Sequence, residues 1–177
     1  QQGLLGTLHL LTMKKVLYIA NVDDSDIDER GLLAVVQTIA DAEGAEVVTI
    51  CNKLESEIAE LEDDERLEFL NELGVNESGL DRVIKAGYRL LGLQTYFTAG
   101  VKEVRAWTVK QQAPAPKAAA VIHTDFERGF IRAEVISYDD YISGQGEAGA
   151  KQAGKWRLEG KDYIVQDGDI IHFRFNV

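Results

Sequence analysis

The chain has 177 residues, 45% of them hydrophobic and 28% charged, enough for one ordinary domain or two small ones and unlike a disordered polymer. Its single cysteine, Cys51, excludes an intramolecular disulfide framework and points to a reducing cytoplasm, while His9, His123 and His172 stand at no metal-ligand spacing, so no metal site is expected. The net charge of -11 is uneven: residues 21–81 carry 19 acids against 3 bases, and residues 82–177 carry 11 acids against 14 bases. Such a split predicts two units, of which the acidic one should repel nucleic acid.

The opening QQGLLGTLHLLTMKK has an apolar patch but neither a charged start nor a small-residue cleavage site, so no signal peptide is expected. No apolar run approaches the ~20 residues that span a bilayer, and no membrane partner is expected. Residues 16–20 are a short β-branched and aromatic strand that ends in Asn21-Val22-Asp23-Asp24. A helix is predicted over 29–43, with Leu32, Leu33, Val36, Ile39 and Ala40 at helical spacing and Gly44 as its stop. AEVVTIC, 45–51, is a second strand; strand, helix, strand implies a parallel pair with a right-handed crossover. ESEIAELEDDERLEFLNELG and SGLDRVIKAGYRLLG both read as helices, with apolar stripes Ile58-Leu61-Leu67-Leu70 and Leu80-Val83-Ile84-Leu90-Leu91.

From about Leu93 the pattern turns to strands. QTYFTAGVKEVRAWTV is a hairpin around Ala99-Gly100-Val101-Lys102, and APAPKAAAVIHTDF holds both prolines and then an alanine-rich helix. FIRAEVIS alternates as a half-buried strand, EAGAKQAGKWRLEG reads as a helix or helical turn, and YIVQDGDIIHFRF reads as two strands around Asp167-Gly168-Asp169. Hairpin, helix, strand, helical insert and final hairpin describe a small ubiquitin-like β-grasp sheet.

Three stretches invite chemistry. The Asn21 amide can pair with a purine edge or brace a neighbouring loop, Val22 offers apolar surface to a flat base, and Asp24 suits a base presenting N–H groups. The same pattern also serves as an Asx turn or helix cap. GAKQAGKW, 149–156, has phosphate-loop spacing up to its last letter, but Trp156 stands where Ser or Thr should hold Mg²⁺ and no strand leads into Gly149. Arg128, Arg132, Lys151, Lys155 and Arg157, with Trp156 and Tyr138 or Tyr141, are the basic and aromatic ingredients of RNA contact, although scattered solvated charges fit them as well. His123-Thr124-Asp125 cannot converge as a triad, because adjacent side chains splay apart, and a helix C-terminus with Thr124 and Asp125 fixing the exit turn is expected.

LQTYFTAGVKEVRAWTV, AAAVIHTDFERGFIRAEVISYDDY and AGKWRLEGKDYIVQDGDIIHFRFNV closely resemble the C-terminal half of the Obg-like ATPases, the YchF group. The resemblance covers essentially 12–177. It implies an α/β chain: the C-terminal part of a P-loop NTPase-like parallel sheet domain at 16–92, then a β-grasp (α+β) TGS domain at 93–177, with 1–15 as the tail of a coiled-coil insertion. It implies Asn21, Val22 and Asp24, with Cys51, Asn52 and Lys53, as the base-binding edge of a purine site. ATP with Mg²⁺ is the implied ligand of the intact family member. Asn-Val-Asp-Asp departs from the family's Asn-x-x-Glu towards the guanine pattern, and Lys53 leans the same way, so GTP stays open. The phosphate loop lies in a part of the family pattern absent from this sequence, so no catalytic residue is named and no hydrolysis by this chain alone is expected. TGS domains resemble modules of ribosome-associated factors, which implies a ribosomal or RNA partner. A GTP-binding protein of the same superfamily and a non-enzymatic RNA- or ribosome-docking module are the alternatives.

Overall fold

A computed structural model of the chain describes residues 7–8, 10–23 and 31–176. The chain divides into two compact units, Gln1–Leu91 and Gly92–Val177. Among the described residues no helix is long and apolar enough to cross a membrane.

In the first unit, β1 (Leu17–Asn21) and β2 (Glu46–Ile50) pair in parallel from Leu17 opposite Glu46 to Asn21 opposite Ile50. Their connection includes α1 (Leu32–Glu43). Gly44 stops this helix with a left-handed φ of 66°, its N–H returning to the carbonyls of Ala40 and Asp41. Three helices follow: α2 (Asn52–Ala59), α3 (Asp63–Glu72) and α4 (Gly79–Leu91).

The acid-rich run expected as one helix is therefore two. Glu65 reaches back to the N–H of Glu62 at 3.4 Å, which starts a new helix with Asp63, Asp64 and Glu65 in its first turn. Acids are favoured at a helix N-terminus and repel one another in a helix interior, so the break falls where the charge is densest. Ala40, Val48, Ile58, Leu70 and Ala86 form the buried apolar set of this unit.

The second unit is a five-stranded mixed sheet in the order β4-β3-β7-β5-β6, built from β3 (Leu93–Ala99), β4 (Val104–Lys110), β5 (Phe130–Ile136), β6 (Arg157–Glu159) and β7 (Ile170–Phe175). Only the β3–β7 pairing is parallel. The expected final hairpin is absent: before β7, Ile164 makes a single bridge to Pro114, and Val165 N–H donates to Ala113. The reason is topological. β7 is a central strand whose two edges are taken by β3 and β5, so the 163–165 segment has no edge of β7 to join.

One sheet face is covered by α5 (Ala115–Ile122), whose Ala115, Ala118 and Ala119 are fully buried against Tyr96, Val109, Ala133, Val135, Ile171 and Phe173. Small alanines bring the helix close, and the Tyr96 hydroxyl donates to the Ala118 carbonyl at 2.9 Å. Strand alternation sends Arg132 and Glu134 of β5, and His172 and Arg174 of β7, to the opposite face. Three short helices complete the unit: α6 (Thr124–Arg128), α7 (Tyr138–Ser143) and α8 (Glu147–Gln152). The loop before β7 is anchored by buried Asp169, whose Oδ2 accepts from the Tyr163 hydroxyl at 2.6 Å and from Gln166 N–H at 2.9 Å. Burial first, and then this bond, push the Tyr163 phenol well above its usual range.

Candidate functional site

The first unit gathers its polar loop residues at the carboxyl ends of its two parallel strands, where open α/β sheets hold ligands. Asn21 closes β1, and its Oδ1 accepts the backbone N–H of Asn52 at 3.0 Å. Val22 N–H donates to the Ile50 carbonyl at 2.8 Å. These two bonds span 31 and 28 residues of sequence, so Asn21 and Val22 lie beside Cys51 and Asn52. Of the two roles open to the Asn21 amide, bracing a loop is the one its oxygen performs here.

Cys51 is the half-buried N-cap residue of α2, and Asn52 and Lys53 are exposed in its first turn. Asp24 lies outside the described residues, as do residues 1–6 and 9 of the stretch 1–15.

A cleft of about 310 Å³ opens beside this junction. Val22, Asp23 and Cys51 reach it from the strand ends, and Leu54, Ile58, Leu70, Leu73 and Val75 supply apolar wall from α2, α3 and the turn after α3. Its polar floor is Glu55, which accepts the N–H groups of Gly79 at 2.7 Å and Leu80 at 3.0 Å. A carboxylate at the start of α4 satisfies two of its orphan donors and matches its dipole. Ser78 adds a cap, its Oγ accepting from Asp81 N–H at 3.0 Å. The packing is close: a Cβ on Gly79 would stand 2.7 Å from Glu55 Oε1 and 3.0 Å from the Ile50 side chain. An apolar wall facing a few polar groups, Asp23, Glu55, Glu77 and Arg82 among them, suits a flat ring that carries hydrogen-bonding edges. Sequence reasoning missed the walls and Glu55; the one available signal was the Ser78-x-x-Asp81 cap pattern, which marks where α4 begins but not what faces it.

The five basic residues singled out in the second unit do not form one cluster. Arg157 is paired in register with Val135, which puts it on the α5 side, where it meets the Tyr163 hydroxyl at 3.3 Å and Asp169 at 3.4 Å. Arg128 ends α6 and lies 3.9 Å from Asp125. Arg132 is on the opposite face, 3.9 Å from Glu134. Lys151 pairs with Glu147 at 2.6 Å and stacks 3.6 Å over the Trp156 ring, and Lys155 lies 3.5 Å from Asp140.

The phosphate-loop look-alike at 149–156 has a packing explanation. Gly149 lies inside α8, and a Cβ there would stand 1.9 Å from the carbonyl oxygen of Gly144. His123 ends α5 as its C-cap residue, the position expected, and in addition starts α6, its Nδ1 accepting Asp125 N–H at 3.2 Å.

The chain resembles known proteins over nearly its whole length. A family model, YchF-GTPase_C, described as a protein of unknown function (DUF933), matches residues 93–176. The ribosome-binding ATPase YchF of Pasteurella multocida (strain Pm70) is 68% identical over 169 residues, 96% of this chain and 47% of that protein. The ribosome-binding ATPase YchF of Bacillus subtilis (strain 168) is 60% identical over 180 residues, 100% of this chain and 49% of that protein. Among solved structures, the YchF GTPase of Schizosaccharomyces pombe is 33% identical with a TM-score of 0.80, covering 97% of this chain and 46% of that one. The chain thus spans about half the length of the curated relatives it matches. On this similarity, the chain belongs to the YchF family.

Proposed function

We propose that this chain supplies the base-side edge of a purine nucleotide site together with a ribosome-docking unit, within a cytoplasmic nucleotide-switch protein. In this reading 16–92 is the closing portion of a P-loop-type nucleotide domain and 93–177 is a β-grasp TGS domain. Residues 1–15 are the tail of an inserted coiled coil. The observation that carries the nucleotide half is the Asn21–Asn52 bond, which holds two strand-end loops together over an apolar hollow. Asn21, Val22 and Asp24 on one side, with Cys51, Asn52 and Lys53 on the other, would border the base. Relatives are named ATPase and a structural neighbour GTPase, so both bases belong in the test.

The donor set fits a base better than a metal. Among the described residues there is no group of three or more His, Cys, Asp or Glu side chains that could hold a metal ion, so Mg²⁺ is assigned to no residue of this chain. Where phosphoryl transfer occurs in such proteins, Mg²⁺ offsets the charge of the phosphates. What the residues of this chain contribute is binding and orientation of the ring.

Calorimetric titration of the purified 177-residue chain with adenosine, ATP and GTP tests this reading. Weak binding shared by nucleoside and nucleotide, with no metal-dependent turnover, is the expected result. Asp24→Glu should change the ATP-to-GTP affinity ratio, and an unchanged ratio removes Asp24 from the base contacts. Turnover by this chain alone would overturn the division of labour proposed here.

A further inference from the structure

We propose that the sheet face opposite α5 is a docking surface for the phosphate backbone of RNA, with Arg132 and Arg174 as a paired clamp. The inference rests on the ribosome-docking reading above and gives it a location.

Arg132 and Arg174 are direct cross-strand partners on β5 and β7. Like charges placed directly opposite repel, so the pairing needs an anion. The protein provides one, Glu134, which is 7% exposed. It is shared unequally: Arg174 grips it with Nε at 3.1 Å and an Nη at 3.0 Å, whereas Arg132 stays at 3.9 Å, beyond hydrogen-bond reach. Arg128, Lys151 and Lys155 each have an acid close by in Asp125, Glu147 and Asp140. At Glu134 one carboxylate serves two guanidinium groups; Glu147 also acts on Arg174 but is paired with Lys151, so among these three cations and two carboxylates a positive charge is left over.

The surroundings suit a polyanion. The side chains of Arg132 and Arg174 are 53% and 52% exposed. His172, opposite Glu134 in register, is exposed on the same face and shares a small hollow with Glu134, Glu147 and Trp156. Lys151, seated on Trp156 and paired with Glu147, borders that hollow. Guanidinium forks match phosphate oxygens in shape and charge, and the curated relatives are named ribosome-binding, which makes RNA the occupant to test first. A phosphate oxygen bridging the two arginines would supply the charge that Glu134 and the Lys151-paired Glu147 do not balance.

The test is fluorescence anisotropy of the whole chain with a labelled RNA stem–loop over a range of KCl concentrations. Wild-type affinity should fall steeply with salt. Arg132→Ala should weaken binding about tenfold and reduce the log–log salt slope by about 1. Arg132→Lys keeps the charge without the fork and should fall between. Arg174→Lys should behave similarly while keeping a cation beside Glu134. Lys117→Ala, on the α5 side, should bind as wild type. If wild-type RNA binding is clear and Arg132→Ala matches it, the assigned face is wrong and the docking reading survives. If the wild type binds no RNA at low salt, both fall. If polyglutamate displaces the RNA as readily as unlabelled RNA does, the surface recognises acidic protein and the proposal fails.

Discussion

Glu55 shows how one carboxylate can shape a site by holding the start of a helix. Its two oxygens hold the first N–H groups of α4 and line the cleft at the same time. Glu55→Ala leaves both donors short of a partner and removes a favourable charge from the helix start, a loss of about 1–2 kcal/mol. The urea midpoint followed by far-ultraviolet circular dichroism should fall accordingly, with Glu55→Gln between the two. An unchanged midpoint would mean that the capping bonds contribute nothing.

Gly149 makes the opposite case, a residue whose absent side chain matters. Ala at this helical position gains about 1 kcal/mol of helix propensity. Against that stands a Cβ placed 1.9 Å from the Gly144 carbonyl oxygen, a clash with backbone that no rotamer relieves. Overpacking of this kind costs about 1–3 kcal/mol, so the steric effect should win. Gly149→Ala should lower the melting temperature while leaving nucleotide binding unchanged; loss of nucleotide binding without loss of stability would revive the phosphate-loop reading.

At the scale of elements, the β5–β7 pair ties stability to acidity. Arg174, bonded to the Glu134 carboxylate, holds its pKa below the ordinary carboxylate value, with Arg132 and His172 adding smaller pulls. A depressed folded-state pKa means that this stabilisation is complete above the unfolded value of about 4.3 and is lost as pH falls through the folded one. Acid titration of the second unit, read by tryptophan fluorescence, should show a limb below about pH 4 that Glu134→Gln flattens. An identical limb in the variant would assign the acid transition to other carboxylates.

Elements also show where pattern reading works. β1, α1 and β2 were legible because each is local: a β-branched run, a helical stripe and a stopping glycine. The split between α2 and α3 was missed although the apolar stripe lapses there: residues 62–66 are all charged, and the step of six from Leu61 to Leu67 is out of phase with a single helix. The absent final hairpin was missed because a Gly turn between apolar runs looks the same whether or not the second strand has an edge to offer.

For the whole molecule, the charge split changes meaning once the unit boundary is drawn. Gln1–Leu91 carries 19 acids and 8 bases, and Gly92–Val177 carries 11 of each. The second unit is neutral overall, so any affinity it has for a polyanion must come from the placement of its charges. Strand register makes that placement, because residues two apart share a face and adjacent residues do not. Arg132 and Arg174 thereby stand together while Arg157 is turned to the other side.

Family membership, the strand–helix–strand start and, in the second unit, the first hairpin, the alanine-rich helix and the strand 130–136 could be read from residue order, because each is written in neighbouring side chains and their spacing; β6 at 157–159, inside a stretch read as helical, could not. The cleft over Glu55, the bond from Asn21 to Asn52 and the shared carboxylate between two arginines could not. They join residues tens of positions apart, and nothing in local pattern reports which distant backbone or guanidinium a side chain will meet. That meeting is decided by how helices pack and by which strands become neighbours, and only the folded chain holds that information.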